Sequence, residues 1–329
     1  MDLQNGHFVI SLDFEIMWGV RDIVTLQTYG NHLRGVHQVI PKTLSIFKEF
    51  GIHGTFSIVG LLFFKTKEEM MAHLPDRLPE YSNTKLSPYG NYMLSEVGDN
   101  YINDKYHFAP LLIKMIQETT GQEIGTHTFS HYYCLEEGQA IEDFEADLKA
   151  AIITASEYGI QISSIIFPRN QFNHDYLQVC KDAGLIAYRG NEHSWLYRAR
   201  KGNKESLIRR LFRLTDAYLN LTGYNCSTHE EMAIAFPINI PSSRFLRPYS
   251  AKLKPFDGLR IRRIKKGMTY AAINKGVYHL WWHPHNFGIN QDENFMILRE
   301  ILMHYEWLNK KYGFTSITMS DMANQLLKK

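Results

Sequence analysis

Phe8-Val9-Ile10-Ser11-Leu12-Asp13-Phe14-Glu15, residues 8–15, is a short apolar and β-branched run that stops on two carboxylates. A buried strand that delivers polar groups at its tip has this pattern. Downstream, Ile40 to Gly51 has a proline near its start, apolar residues at helical spacing and a glycine stop, which predicts a helix. His53 to Gly60 then reads as a second strand, so the chain opens on a βαβ unit. The alternation recurs. Glu123–Thr126, Ser163–Phe167, Leu185–Arg189, Val277–Trp282 and Phe314–Met319 read as strands, with helices over 141–158, 174–184 and 293–312 between them. Repeated strand-helix units predict a parallel sheet, open or closed into a barrel.

The 329 residues are enough for one large α/β domain or two ordinary ones, and no Pro/Gly/Ser-rich linker divides them. A single domain over 1–329 is expected, with inserts at about 62–110 and 196–268. Net charge is only +2, too small to imply a nucleic-acid partner. Three scattered cysteines, Cys134, Cys180 and Cys226, suggest neither a disulfide framework nor a structural zinc site. No apolar run reaches the roughly 20 residues that span a bilayer, and the first residues do not read as a signal peptide. A cytoplasmic protein is the expectation.

Three segments carry chemistry, each at the carboxyl tip of a predicted strand, where α/β folds place their sites. In Thr126-His127-Thr128-Phe129-Ser130-His131 two histidines four apart, opening a helical turn, can present both imidazoles to one divalent cation. Two unrelated surface histidines would look the same in a chain with 15 of them. Asp13 and Glu15, two apart on a strand, can face one pocket as a ligand and a general base, or can simply cap a loop. Leu280-Trp281-Trp282-His283-Pro284-His285 ends a buried strand in histidines flanked by aromatics. His283 suits a general acid, His285 is its rival, and Trp18 and Trp282 suit a sugar-stacking rim; core packing is the commoner use of tryptophan.

Taken in order, these segments resemble the polysaccharide deacetylase (NodB-homology) superfamily, carbohydrate esterase family four, over nearly the whole chain. Asp13-Phe14-Glu15 resembles its first motif, Glu123 to His131 its metal motif, Phe167-Pro168-Arg169-Asn170 its third motif and Leu280–His283 its last. The resemblance implies a distorted (β/α) barrel, commonly of seven parallel strands, and hydrolysis of an acetyl or formyl group on an amino sugar. It implies one divalent metal, zinc first, with cobalt, nickel, manganese or iron also compatible, held by His127, His131 and an acidic residue. It makes Asp13 the base and His283 the acid. The usual adjacent aspartates are replaced here by Asp13-Phe14-Glu15, so the acidic ligand is Glu15 or Asp13 itself; Glu15 is preferred. Ile166 stands where the family has an arginine, leaving Arg169 to orient Asp13 or touch substrate.

Basic residues cluster between Arg198 and Lys266, including Arg200, Lys201, Lys204, Arg209, Arg210, Arg213, Arg260, Arg262, Arg263 and Lys265. Leu207, Leu211, Leu214 and Tyr218 interleave with them at helical spacing. Such a helix either packs by its apolar side or lies on a membrane surface or an anionic ligand. The second reading predicts a carbohydrate substrate that is phosphate- or lipid-linked, with peripheral membrane contact through 198–266. A small non-sugar amide as substrate, or a non-catalytic glycan-binding protein, are the rival functions.

Overall fold

The computed structural model describes residues 3–197 and 206–328; Arg198, Arg200, Lys201 and Lys204 of the basic segment lie outside them. Among the described residues nine strands form one sheet: β1 (His7–Phe14), β2 (Gly54–Ile58), β3 (Glu123–Thr126), β4 (Ser164–Ile165), β5 (Ala187–Tyr188), β6 (Ile238–Asn239), β7 (Arg244–Phe245), β8 (Val277–Trp282) and β9 (Thr315–Ser316). Their order is β6-β5-β4-β3-β2-β1-β8-β7, with β9 added on β1. All pairings are parallel. The sheet curls into a half-barrel with helices around it, the distorted α/β barrel that the resemblance implies. The count exceeds seven because several strands are only two residues long.

β1 sits mid-sheet and is buried from end to end. Its side chains alternate. Phe8, Ile10, Leu12 and Phe14 join the large cluster under the helices, whereas Val9 joins a separate inner cluster with Ile166, Ile238, Ile240, Val277, Ile317 and Met319. Met322 and Leu326, from the helix Met319–Leu327, complete that inner cluster. The interior is therefore layered: apolar around Val9, polar around Ser11, and acidic around Asp13 and Glu15. Period-two alternation fixes this order, because one-residue slippage would exchange the faces.

The first helix runs Leu26–Phe50, capped by Thr25 and Thr28 reciprocally, and so places Pro41 in its interior rather than near its start. An interior proline costs about 3 kcal/mol. Burial of Leu33, Val36, Val39, Ile40, Leu44 and Phe47 against the sheet offsets it. This helix packs tightly on the turn Pro284–Phe287: a Cβ on Gly35 would lie 2.0 Å from the carbonyl oxygen of Gly288. Only glycine permits that approach.

The helix Leu207–Tyr218 is inverted relative to an ordinary surface helix. Arg209 and Asp216 are buried, while Leu207 (80% exposed), Ile208, Leu211 and Phe212 face solvent. Asp216 accepts from Arg244 (2.7 Å), Arg263 (2.8 Å) and the Tyr197 hydroxyl (2.6 Å). Burial alone would raise its pKa, but Arg244 and its other partners hold it down to about 2. Arg209 donates to the Leu196 and Trp195 carbonyls, and Arg260 pairs with Asp257. Arg209, Arg260 and Arg263 are thus internal braces rather than a ligand-facing patch. Among the described residues no helix is long and apolar enough to cross a membrane.

Candidate metal and hydrolytic site

At the carboxyl end of β1 the chain turns sharply: Ile16 adopts φ 44°, unusual for a β-branched residue. Thr128 (64°) and His131 (62°) after β3, and Arg169 (54°) and Asn170 (52°) after β4, are also left-handed. Backbone strain of this kind, at roughly 1–3 kcal/mol per residue, collects where side chains must be aimed. His127–His131 is accordingly an irregular loop, not the helical turn expected from the spacing. Asp147, fully buried, fastens it by accepting from the backbone N–H of Phe129 (2.7 Å) and Ser130 (3.2 Å) and from the Ser130 hydroxyl.

The strained tips bring four imidazoles around one carboxylate. His127 Nε2 and His131 Nε2 lie 3.2 and 3.0 Å from Glu15 Oε2. On the other side, His285 Nε2 lies 3.2 Å and His283 Nε2 3.7 Å from Glu15 Oε1. Glu15, His127 and His131 offer donor atoms all within 4.8 Å of one another, the grouping a cation needs. His127 Nδ1 donates to the Ile166 carbonyl (2.8 Å), which leaves its Nε2 lone pair facing Glu15. Two acceptors face each other there unless a cation or proton lies between them. Burial pushes His131 down to about 4 despite its bond to Glu15, so its imidazole is neutral at ordinary pH. Burial raises the pKa of Glu15, but the charge of His283 and bonds from the histidines outweigh it and keep the group ionised. The residues present fit a divalent metal. Gly19 leaves the carboxylate its room, since a Cβ there would lie 2.0 Å from Glu15 Cδ.

Asp13 does not share that cluster. Arg189, buried at the end of β5, grips it with Nη1–Oδ1 2.6 Å and Nη2–Oδ2 2.7 Å, and also reaches Ser11 Oγ (3.0 Å) and Asn170 Oδ1 (2.9 Å). Burial works to raise the Asp13 pKa, and Arg189, with His127 and His283, more than compensates, leaving it lowered. His283 Nε2 is 3.7 Å from Asp13 Oδ2, and its side chain, 24% accessible, is the member of the cluster that meets solvent. Trp281 lies under the Arg189 guanidinium at 4.1 Å and forms the wall beside His283.

Three expected contacts are placed elsewhere. Arg169 does not orient Asp13: it pairs with Asp22 and lies 4.3 Å over the Tyr133 ring, and Arg189 occupies the position foreseen for it. Trp282 is fully buried, stacked on Phe287 and edge-on to Phe47, because β8 alternation turns 281 and 283 inward and 282 toward the helices. Trp18 is equally buried, donating to the His107 carbonyl (3.0 Å). Neither tryptophan reaches the cavity. Arg189 was the residue missed; its only signal was a lone arginine at the tip of an apolar strand.

The polysaccharide deacetylase family model matches residues 25–188. The chain belongs to the polysaccharide deacetylase superfamily. Membership implies carbohydrate deacetylase chemistry, and deacetylases of this superfamily are generally metal-dependent. The matched span of this deacetylase-family chain holds His127 and His131 but not Asp13, Glu15, His283 or His285, which the fold alone brings beside them. Among solved structures it is similar to a protein from Mycobacterium smegmatis assigned to the polysaccharide deacetylases (14% identity, 98% of this chain and 91% of that one, TM-score 0.60). It is also similar to a Pseudomonas aeruginosa PAO1 protein assigned to the same family (9%, 98% and 91%, 0.57) and to Puue allantoinase (10%, 98% and 90%, 0.57). At these identities the likeness is one of fold. No curated protein matches the sequence.

Proposed function

We propose that the protein is a metal-dependent hydrolase that removes an acetyl or formyl group from the nitrogen of an amino sugar in a glycan or glycan precursor. The convergence of His127, His131 and Glu15 beside an arginine-held Asp13 carries this reading. A divalent cation, zinc before cobalt, nickel, manganese or iron, would supply Lewis-acid polarisation of the acyl oxygen and a more acidic bound water. Asp13, kept ionised and aimed by Arg189, takes a proton from the attacking water. His283, on the solvent side and 3.7 Å from Asp13, gives a proton to the leaving nitrogen, which is a poor leaving group without one. Buried His285 is held by Glu15 and by Tyr29 (2.9 Å) and is the weaker candidate for that task.

A cleft of about 900 Å³, lined by Arg21, Asp22, Tyr81, Tyr89, Tyr92 and Glu96, runs beside the site. None of the four histidines is in its walls. Asp22 in its wall pairs with Arg169, which lies over the Tyr133 ring, and that ring is 5.1 Å from the ring of His131. Its size is at the upper end of the ~300–1,000 Å³ usual for small-molecule sites.

Elemental analysis of the wild type beside His127→Ala and His131→Ala, with turnover measured on N-acetyl and N-formyl amino sugars, tests the reading. At least one equivalent of metal and deacylation are expected in the wild type, with one equivalent of metal and all deacylation lost in each variant. A metal-free wild type that stays so after reconstitution would sink it. The outward apolar face of Leu207–Tyr218, flanked by exposed Arg210, Lys252, Lys254 and Arg262, supports a phosphate- or lipid-linked precursor met at a membrane surface. Flotation with anionic vesicles should be reduced several-fold by Leu211→Glu and by high salt; equal flotation with neutral vesicles would speak against it.

A further inference from the structure

Glu15 has two oxygens, and the site described so far uses one of them. We propose that Glu15, His283 and His285 form a second divalent-cation site, sharing its carboxylate with the first, and that filling it silences the enzyme. The inference rests on reading Glu15, His127 and His131 as the first site.

The second group has the same construction as the first. Glu15 Oε1, His283 Nε2 and His285 Nε2 lie with all donor atoms within 4.8 Å of one another. Each imidazole is braced on its far nitrogen: His283 Nδ1 is 3.2 Å from Asn286 Oδ1, and His285 Nδ1 is 2.9 Å from the Tyr29 hydroxyl. An amide oxygen can only accept, so His283 Nδ1 donates to Asn286 and Nε2 is the ring nitrogen that faces Glu15. The far end of the turn Pro284–Phe287, which carries His285, is held against the first helix by the Gly35–Gly288 contact. A carboxylate that bridges in this way places two cations roughly 3.5–4 Å apart, the spacing of two-metal sites. Two imidazoles and a carboxylate oxygen suit zinc, cobalt, nickel or manganese. His283, 24% accessible at its side chain, lines the entrance through which the second cation would arrive.

The cost to activity follows from chemistry. A cation on His283 Nε2 occupies the atom that otherwise carries the proton for the leaving nitrogen. The first equivalent of metal therefore activates and the second inhibits.

The test starts from chelator-treated protein and measures zinc and cobalt binding by equilibrium dialysis with elemental analysis, alongside turnover and far-UV spectra. Two equivalents in the wild type are expected, and one each in His285→Ala, the milder His285→Gln and His127→Ala. Manganese-loaded wild type should show an exchange-coupled spin pair that every single-site variant lacks. Wild-type turnover should rise to one equivalent and fall at least several-fold by two. One equivalent in the wild type, unchanged in both His285 variants and lost in His127→Ala, would overturn the second site and leave the first intact. No binding at all, or one equivalent lost only in the His285 variants, would overturn the first-site reading and this one with it.

Discussion

Arg189 is the residue on which the base depends. Its two nitrogens match the two oxygens of Asp13, a paired geometry that lysine cannot reproduce. Arg189→Lys should keep most of the charge yet lower kcat by on the order of 10²-fold, with metal content unchanged. Arg189→Met, which leaves Asp13 buried without a partner, should destabilise by about 3–5 kcal/mol in urea unfolding. Arg169→Ala, by contrast, should retain most turnover, because that side chain braces Asp22 and Tyr133. Equal losses in Arg169→Ala and Arg189→Lys would show the assignment of Asp13's partner to be mistaken. Sequence could supply Asp13, Glu15, His127, His131, His283 and His285 because each stands in a compact pattern at a strand tip. Arg189 has no such pattern: it is defined by a reach across the barrel interior from β5 to β1, and pairing across such sequence distance is invisible along the chain.

At the level of elements, the strands around the site were legible and the turns between them were not. β8 was delimited to the residue from its apolar run, yet the run concealed its alternation: Val277, His279 and Trp281 face inward, and Tyr278, Leu280 and Trp282 face the helices. When both faces of a strand are buried, hydropathy no longer tells them apart. The His127–His131 loop likewise follows from a partner distant in sequence, Asp147 on the helix Ile141–Glu157. Asp147→Ala strips the buried Phe129 and Ser130 N–H groups of their acceptor, at about 1–3 kcal/mol each. A fall in unfolding free energy of that order, with weaker metal retention in dialysis, is expected; an unchanged metal affinity would mean that the loop holds its shape by other means.

For the whole molecule, two buried histidines outside the cluster weaken the fold in acid. His7, bonded to His229 (3.0 Å), is pushed down to about 4 by burial and by that neighbour. His279, between Ser11 Oγ (2.8 Å) and the Ile240 carbonyl (3.1 Å), is pushed down to about 3, again chiefly by burial. Both pKa values lie below that of the unfolded chain, near 6.5. The unfolded state therefore binds more protons as pH falls below 6.5, and folding stability drops until the folded values are reached. Each histidine contributes about 1.4 kcal/mol per pH unit in that window. Together the two histidines should lower the unfolding free energy at pH 5 relative to pH 7.5 by on the order of 4 kcal/mol. Asp147, whose carboxyl is pushed up to about 7 by burial, favours the fold as pH falls and partly offsets this. The gap should narrow in His279→Gln. A pH-independent urea midpoint across that range would contradict this account.

The central position of β1 also has a consequence for how the chain reaches its native state. Residues 7–14 pair not only with β2 but with β8 at 277–282 and with β9 at 315–316. At about 5–20 residues per second, synthesis separates β1 from β8 by roughly 15–50 seconds. Throughout that interval one edge of the earliest strand has no partner, and an unpaired apolar edge invites association with other chains. Glu15 meets His283 and His285 only when β8 docks, so the four-histidine cluster is assembled among the last events of folding, and premature capture of metal by His127 and His131 alone has a window in which to occur.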